Sequence, residues 1–207
     1  SSKCYYITGV VLMSKIEVNE IAARSGTNIS MTSGHTIQPN FHSNTTFPAG
    51  HVLQVKQTYF QTEANFSGSG AFVSDIYLDC SITPTSSSSK ILVQVMLNYS
   101  CSTAGCGNGI GLDRVIGGAT TANIARGTAG STADFWIGLN NNYDQSNSGG
   151  LMMNAFGSYL DSPNTTSAIT YKPKFWFVGG TTPIKMNRSN TGQMGSPSIT
   201  TLMEIAN

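Results

Sequence analysis

Apolar and polar side chains alternate with a period of two over much of the chain that follows residue 50. The clearest example covers residues 91–99, where one face would carry Ile91, Val93, Val95, Leu97 and Tyr99. Such alternation is typical of a β-strand that buries one face, because successive side chains of a strand point to opposite sides. The preceding PTSSSSK (84–90) contains a proline and four serines and predicts a turn. We therefore expect a strand here with one face in a hydrophobic core.

Eight further segments of the same kind predict strands separated by turn residues. They cover residues 51–60, 71–82, 109–116, 133–139, 151–160, 168–178, 184–187 and 198–205. No stretch of about twelve residues or more has the i, i+3, i+4, i+7 spacing of an amphipathic helix. Short strands at this spacing, without helices, are typical of two packed antiparallel sheets. The predicted fold class is all-β, a jelly-roll-like antiparallel β-sandwich with an extended N-terminal arm.

One predicted strand, residues 168–178, contains a proline. Because Pro173 cannot donate a hydrogen bond to a neighbouring strand, it predicts a sheet edge or a bulge at this point. The flanking Lys172 and Lys174 would discourage the addition of a further strand at such an edge.

The first 50 residues predict an extended arm rather than a globular unit. Apolar side chains alternate only briefly, at Ile16, Val18 and Ile21, before Ser, Thr and Gly take over. So few apolar side chains cannot close a core, so the segment needs a partner surface to become ordered. We expect residues 1–50 to anchor the protein to a particle or to neighbouring subunits through Ile16, Val18 and Ile21, and residues 51–207 to form a knob.

Composition narrows the class of protein. Only 10% of the residues are charged and the formal net charge is +1, against about 25% charged residues in an ordinary soluble domain. A surface of hydroxyls and amides is typical of secreted, cell-surface and virion proteins. No basic run is present, so nucleic acid is not an expected partner. The apolar run at 5–13 is far shorter than the about 20 residues that span a bilayer, and it lacks the flanks of a signal peptide, so no membrane insertion is expected.

Patterns that would indicate catalysis or a cofactor are missing. His35, His42 and His51 have no metal-ligand spacing around them, and neither a GxSxG nucleophile motif nor a phosphate-binding glycine pattern occurs. We therefore expect no catalytic residue, metal or cofactor. Cys101 and Cys106 could form a disulfide across a short loop, or could both stay reduced, because sequence does not show whether their side chains converge.

Five segments carry a family resemblance. They are MSKIEVNEIAARSGTNISM (13–31), GHVLQVKQTYF (50–60), SITPTSSSSKILVQV (81–95), SYLDSPNTTSAITYKPKF (158–175) and NRSNTGQMGSPSITTLMEIA (187–206). Their order resembles a family of virion structural proteins of cyanophages and other aquatic phages, usually described as tail-fibre proteins. The resemblance implies a homotrimeric β-sandwich knob on the virion surface, made in the host cytoplasm, with other capsid or tail proteins as partners. It begins at Met13, which would make residues 1–12 an extension.

The segment LDSPNTTSA within the fourth of these predicts a turn. Asp161 can accept backbone hydrogen bonds in an Asx-type turn, Pro163 fixes its φ angle, and Asn164 continues the loop. A structural role is expected for all three residues.

Three functions remain open at this point. A non-enzymatic surface knob used in host attachment is the leading one, and a capsid cement or decoration protein is the alternative. A secreted carbohydrate-active β-sandwich is the alternative from another class, because one fold hosts many functions. If the protein contacts a host polysaccharide, aromatic and amide side chains around the long loop at residues 139–150 are candidates, namely Trp136, Asn140, Asn141, Asn142 and Tyr143.

Overall fold

The computed structural model describes residues 47–68, 70–73, 76–101, 108–128, 135–139, 152–177, 184–189 and 191–207. These residues form strands and turns, and no helix occurs among them. The strands are β1 (Val52–Phe60), β2 (Ala64–Phe66), β3 (Ala71–Val73), β4 (Cys80–Ile82), β5 (Lys90–Cys101), β6 (Asn108–Ile116), β7 (Ala119–Thr121), β8 (Ile137–Leu139), β9 (Met153–Asp161), β10 (Ile169–Phe177), β11 (Ile184–Met186) and β12 (Ser198–Ile205).

The strands pair in two antiparallel sheets. In sheet 1, the main strands lie side by side in the order β1-β12-β5-β9, and the short β11 and β2 extend it beside the end of β5. In sheet 2, β10 lies between β6 and the two short strands β3 and β4, while β7 and β8 pair with the other side of β6. The first strand pairs with the last, β1 with β12, and the pairs nest inward: β2 with β11, β3 and β4 with β10, β5 with β9, and β6 with β8. This nesting is the jelly-roll arrangement. The all-β sandwich prediction is confirmed.

Two ends of the sandwich differ. At the terminal end, β1 begins and β12 stops, and backbone hydrogen bonds join Gly50 N to Ala206 O and Ala206 N to His51 O. At the opposite end, here called the loop end, β1 and β5 finish and β2 and β11 pair. The described residues that flank 102–107, 140–151 and 178–183 all lie at the loop end.

The core lies between the inner faces of the two sheets. The five residues predicted to share the inner face of β5, Ile91, Val93, Val95, Leu97 and Tyr99, are all buried, so that prediction is confirmed. They pack on Leu112, Tyr171 and Phe175 of sheet 2, among others. Burial of such side chains contributes about 1.5–3 kcal/mol each relative to exposure.

The predicted strand at residues 71–82 is wrong as one element, because the chain forms two separate short strands there. Tyr77, between them, has a φ of 60°, a left-handed conformation that a bulky side chain rarely adopts. Its neighbours Ile76 and Leu78 are both fully buried, whereas Tyr77 is exposed and stacks on Phe60 at 4.9 Å between ring centroids. Burial of the two flanking side chains therefore fixes this conformation against local preference.

The expectation for Pro173 also needs correction. β10 is a central strand, paired with β6 along its whole length. On its other side, β4 pairs with Ile169–Tyr171 and β3 with Phe175–Phe177, so Pro173 lies opposite the gap between them. Lys174 is buried, so it does not protect a sheet edge against the addition of a strand. Its Nζ lies 2.6 Å from Asp113 Oδ1 and 4.2 Å above the Phe72 ring.

Candidate functional site

A buried ionic contact joins the two sheets near the terminal end. Asp161, at the end of β9, accepts hydrogen bonds from Arg114 Nη1 to both carboxylate oxygens at 2.9 Å and from the Tyr171 hydroxyl at 2.7 Å. Asp161 is 4% exposed. The sequence expectation that this carboxylate caps a turn is therefore wrong: it points into the core, where charge and hydrogen-bond partners must accompany a buried carboxylate. Asn164, with a φ of 54°, makes the turn instead.

Tyr171 supplies a neutral donor to this contact. Burial of the phenol, followed by its hydrogen bond to Asp161, raises its pKa far above the usual value for tyrosine. The hydroxyl therefore stays protonated and donates to Asp161. The contact between Tyr171 and Asp161 joins the two sheets, and the Tyr171 hydroxyl does not release its proton near neutral pH.

A second buried carboxylate, Glu204 of β12, holds the connection between β4 and β5. It accepts hydrogen bonds from the Thr85 backbone N and side-chain Oγ1, both at 2.7 Å, and from Gln54 Nε2 at 2.6 Å. Burial alone would raise the pKa of Glu204, but the hydrogen bonds from Gln54 and Thr85 outweigh it and hold the pKa below its usual value. The carboxylate thus fixes the serine-rich turn to the sheet.

At the loop end, Asn187 organises the chain between β11 and β12. Its φ is 65°, and its Nδ2 donates to the backbone oxygens of Phe60 and Thr62 at 2.7 and 3.0 Å. Its Oδ1 accepts a 2.6 Å hydrogen bond from Ser198 Oγ, which in turn accepts one from Asn98 N at 2.9 Å. These hydrogen bonds give Asn187, the first residue of the segment 187–206, a structural role.

All five acidic residues in the described part of the chain have structural partners. Besides Asp161 and Glu204, Asp79 pairs with Lys172, Asp113 with Lys174 and Glu63 with Arg188. Within the described ranges, no group of three or more His, Cys, Asp or Glu side chains could hold a metal ion. No helix long and apolar enough to cross a membrane occurs among those residues either.

The predicted glycan-contact residues are only partly described. Asn140, Asn141, Asn142 and Tyr143 lie outside the described residues. The Trp136 side chain is half-buried and packs against the hydrophobic core. It therefore does not present a free aromatic face to solvent. An open pocket of about 480 Å³ does not include Trp136 in its lining, which consists of Tyr99, Ile137, Gly138, Met153, Asn154, Ala155 and Phe156. The glycan contact stays a prediction.

Other predicted residues also remain untested. Ile16, Val18 and Ile21 of the arm lie outside the described residues, as does Cys106. Cys101 is half-buried at the end of β5, so the Cys101–Cys106 pairing stays open.

Sheet 1 has an outward face that the sequence reasoning missed. Twelve of the outward side chains of its four main strands lie in three rows, which we call the outer face; Ile205 and the charged Lys90 continue the same side beyond the first row. The first row is Val55, Met203, Leu92 and Leu160; the second is Gln57, Thr201, Gln94 and Ser158; the third is Tyr59, Ile199, Met96 and Phe156. The available signal was the apolar Leu92 and Met96 on the second face of β5, since a sheet with one solvated face normally alternates apolar and polar positions.

Within the outer face, the side strands carry the most exposed residues. Val55 and Tyr59 of β1 are 53% and 54% exposed, and Phe156 and Leu160 of β9 are 57% and 50% exposed. None of the twelve side chains is charged, so the outer face consists of two apolar rows on either side of a polar row of amides and hydroxyls.

Comparison with known proteins adds one distant likeness. No protein-family model and no curated protein matches this sequence. Among solved structures, that of the infectious bursal disease virus Gx strain is similar, with 13% sequence identity and a TM-score of 0.38. The similarity covers 74% of this chain and 36% of that chain, so this chain spans only about a third of its length. By the strand order of its own two sheets, the protein is a jelly-roll β-sandwich, an architecture that recurs in viral capsid and lectin domains and in cupins.

Proposed function

We propose that this chain is a non-enzymatic virion structural protein, a homotrimeric surface knob. Its N-terminal residues attach to other capsid or tail proteins, and its loop end faces the host surface. The proposal combines the jelly-roll fold, the sequence resemblance to phage virion proteins and the arrangement of the two ends of the sandwich.

The observation that carries this assignment is the end of the sandwich at which the residues before β1 lie. The residues before β1 reach the sandwich at the terminal end, where the Phe47 ring stacks on His51 at 4.9 Å between centroids. The strand ends that flank residues 102–107, 140–151 and 178–183 lie at the opposite end. The loop end is therefore the end of the sandwich opposite residue 47. Binding residues commonly lie on loops that a rigid scaffold positions.

The state of the acidic residues favours a structural role over a carbohydrate-active enzyme. Glycoside hydrolysis needs two carboxyl groups that flank a substrate cleft. Each of the five acids in the described ranges instead contacts a basic, amide or hydroxyl group of the same chain. Together these contacts join strands and turns.

Immunogold labelling of intact phage particles with an antibody against residues 47–207 tests the proposal. Label at fibre tips or tail would support host attachment, whereas label spread over the shell would instead support a capsid cement. Particles without label, together with hydrolysis of host polysaccharide by the purified chain, would refute a virion role and favour the secreted enzyme.

The role of the arm needs a separate measurement. Full-length protein and a variant lacking residues 1–46 are added to particles purified from phage that lacks the gene. We expect only the full-length protein to sediment with the particles. Equal binding by the truncated protein would refute attachment through the arm.

A further inference from the structure

We infer that the outer face of sheet 1 is the surface through which copies of this chain associate, with β1 of one copy beside β9 of the next around a three-fold axis that runs along the strands. This inference rests on the homotrimer in the proposed function and names the surface that would form it. It depends on the register of four strands rather than on the loops or the arm.

The lack of charge selects the kind of partner. The three rows contain no charged side chain to attract a charged ligand, since Lys90 lies beyond the first row at the terminal end. Their apolar side chains must be removed from water to contribute. The middle row is its own complement, because the amides of Gln57 and Gln94 and the hydroxyls of Thr201 and Ser158 both donate and accept hydrogen bonds. A second copy of the same face therefore satisfies both the apolar and the polar rows.

The order of the rows fits rotation about an axis parallel to the strands. Such a rotation leaves each row at its own height, so apolar rows meet apolar rows and the polar row meets the polar row. The most exposed apolar side chains lie on the two side strands, Val55 and Tyr59 on β1, and Leu160 and Phe156 on β9. Val55 and Leu160 share the first row, and Tyr59 and Phe156 share the third.

The contact of the side strands, which adds to the area of the face itself, favours three copies over two. With strands about 4.8 Å apart and about 3.4 Å per residue, four strands and the length of three rows give roughly 400 Å². A standard interface buries about 800 Å² on each partner, so a single pair of these faces would fall short. A ring of three gives every copy two neighbours, which brings the flanks of β1 and β9 into contact as well.

The mass of the full-length protein in solution gives the first test. Light scattering during gel filtration should give three times the 21.9 kDa chain mass. Phe156→Glu should reduce this to the mass of one chain, with an unchanged circular dichroism spectrum. Met194→Glu is the matched control, since Met194 is 46% exposed but lies in the β11–β12 connection, and it should keep the trimer. A Phe156→Glu protein that stays trimeric, or a wild-type chain that is monomeric or dimeric, would overturn the inference.

Cross-linking tests the neighbouring strands directly and does not depend on whether Phe156→Glu folds. Within one copy, Val55 and Leu160 are three strand spacings apart, roughly 14 Å, too far for a disulfide, which needs Cα atoms about 4.4–6.8 Å apart. Under mild oxidation, Val55→Cys with Leu160→Cys should give covalent trimers on a non-reducing gel. Val55→Cys with Phe156→Cys, from different rows, and the unsubstituted chain are controls and should give few.

The outcomes of the cross-linking separate this inference from the proposed function. Covalent dimers without trimers, or equal cross-linking in both double variants, would refute the three-fold arrangement. Face-dependent trimers that are absent from labelled particles would instead refute the virion role and leave the assembly surface intact.

Discussion

Removal of the Asp161 carboxylate should cost more stability than any exposed ion pair in this protein. Asp161→Ala would leave the Arg114 guanidinium, whose side chain is 20% exposed, and the buried Tyr171 hydroxyl without their acceptor. Breaking a buried ion pair by removing one partner typically costs about 3–5 kcal/mol, because the remaining charge is uncompensated. Tyr171→Phe removes only the hydrogen bond to a charged group and should cost about 1.5–3 kcal/mol.

Urea unfolding followed by circular dichroism, at one fixed protein concentration, measures these differences. The midpoint should fall with little change in the slope. Lys172→Ala is the control, because its pairing with Asp79 involves a lysine side chain that is 41% exposed and such surface pairs contribute about 0–1 kcal/mol. If Asp161→Ala costs no more than Lys172→Ala, the ionic contact does not hold the sheets together.

Three further predictions follow from other contacts. Because the folded-state pKa of Glu204 lies below its usual 4.5, its contribution to stability is present above pH 4.5 and is lost as the pH falls through the lower folded value; Glu204→Gln should reduce this loss in acid unfolding curves. Gly109→Ala would place a Cβ 2.1 Å from the Phe135 ring, whereas Gly138, its strand partner, has open space; thermal unfolding should show a cost of about 1–3 kcal/mol for the first and little change for Gly138→Ala. Asn187→Gly keeps the left-handed backbone but loses the amide contacts, so urea unfolding should show it destabilised, and Asn187→Ala more so; equal stability of both to wild type would refute the role of Asn187.

Local pattern was sufficient to predict the longer strands. The alternation at 91–99 placed the correct side chains in the core. At 198–205 it predicted the strand but not its buried face, because Ile199 and Met203 point outward and the buried positions are Ser198, Thr200, Leu202 and Glu204. It failed where long-range contacts decide the backbone. Residues 71–82 look like one strand, but burial of Ile76 and Leu78 twists the chain at Tyr77.

The polar contacts were beyond what the sequence patterns show. Asp161 follows a strand and precedes a proline, so turn chemistry was its local interpretation. Its partner Arg114 is 47 residues away, and only the pairing of β10 with β6 brings Arg114 next to Tyr171. The outer face depends in the same way on register: Leu92, Met203 and Val55 come from distant segments and form a row only once the strands pair.

The joining of β1 to β12 at the terminal end has a mechanical consequence. If residue 47 leads to an anchored arm and the loop end binds a host cell, tension would pull β1 along its own axis toward the terminal end. The first strand is then sheared against its neighbour, and the ladder from Gln54 to Phe60 is loaded all at once. Peeling a strand from its end would break these hydrogen bonds one at a time. A pull on β1 in this direction would therefore load the sheet in the direction in which it best resists force.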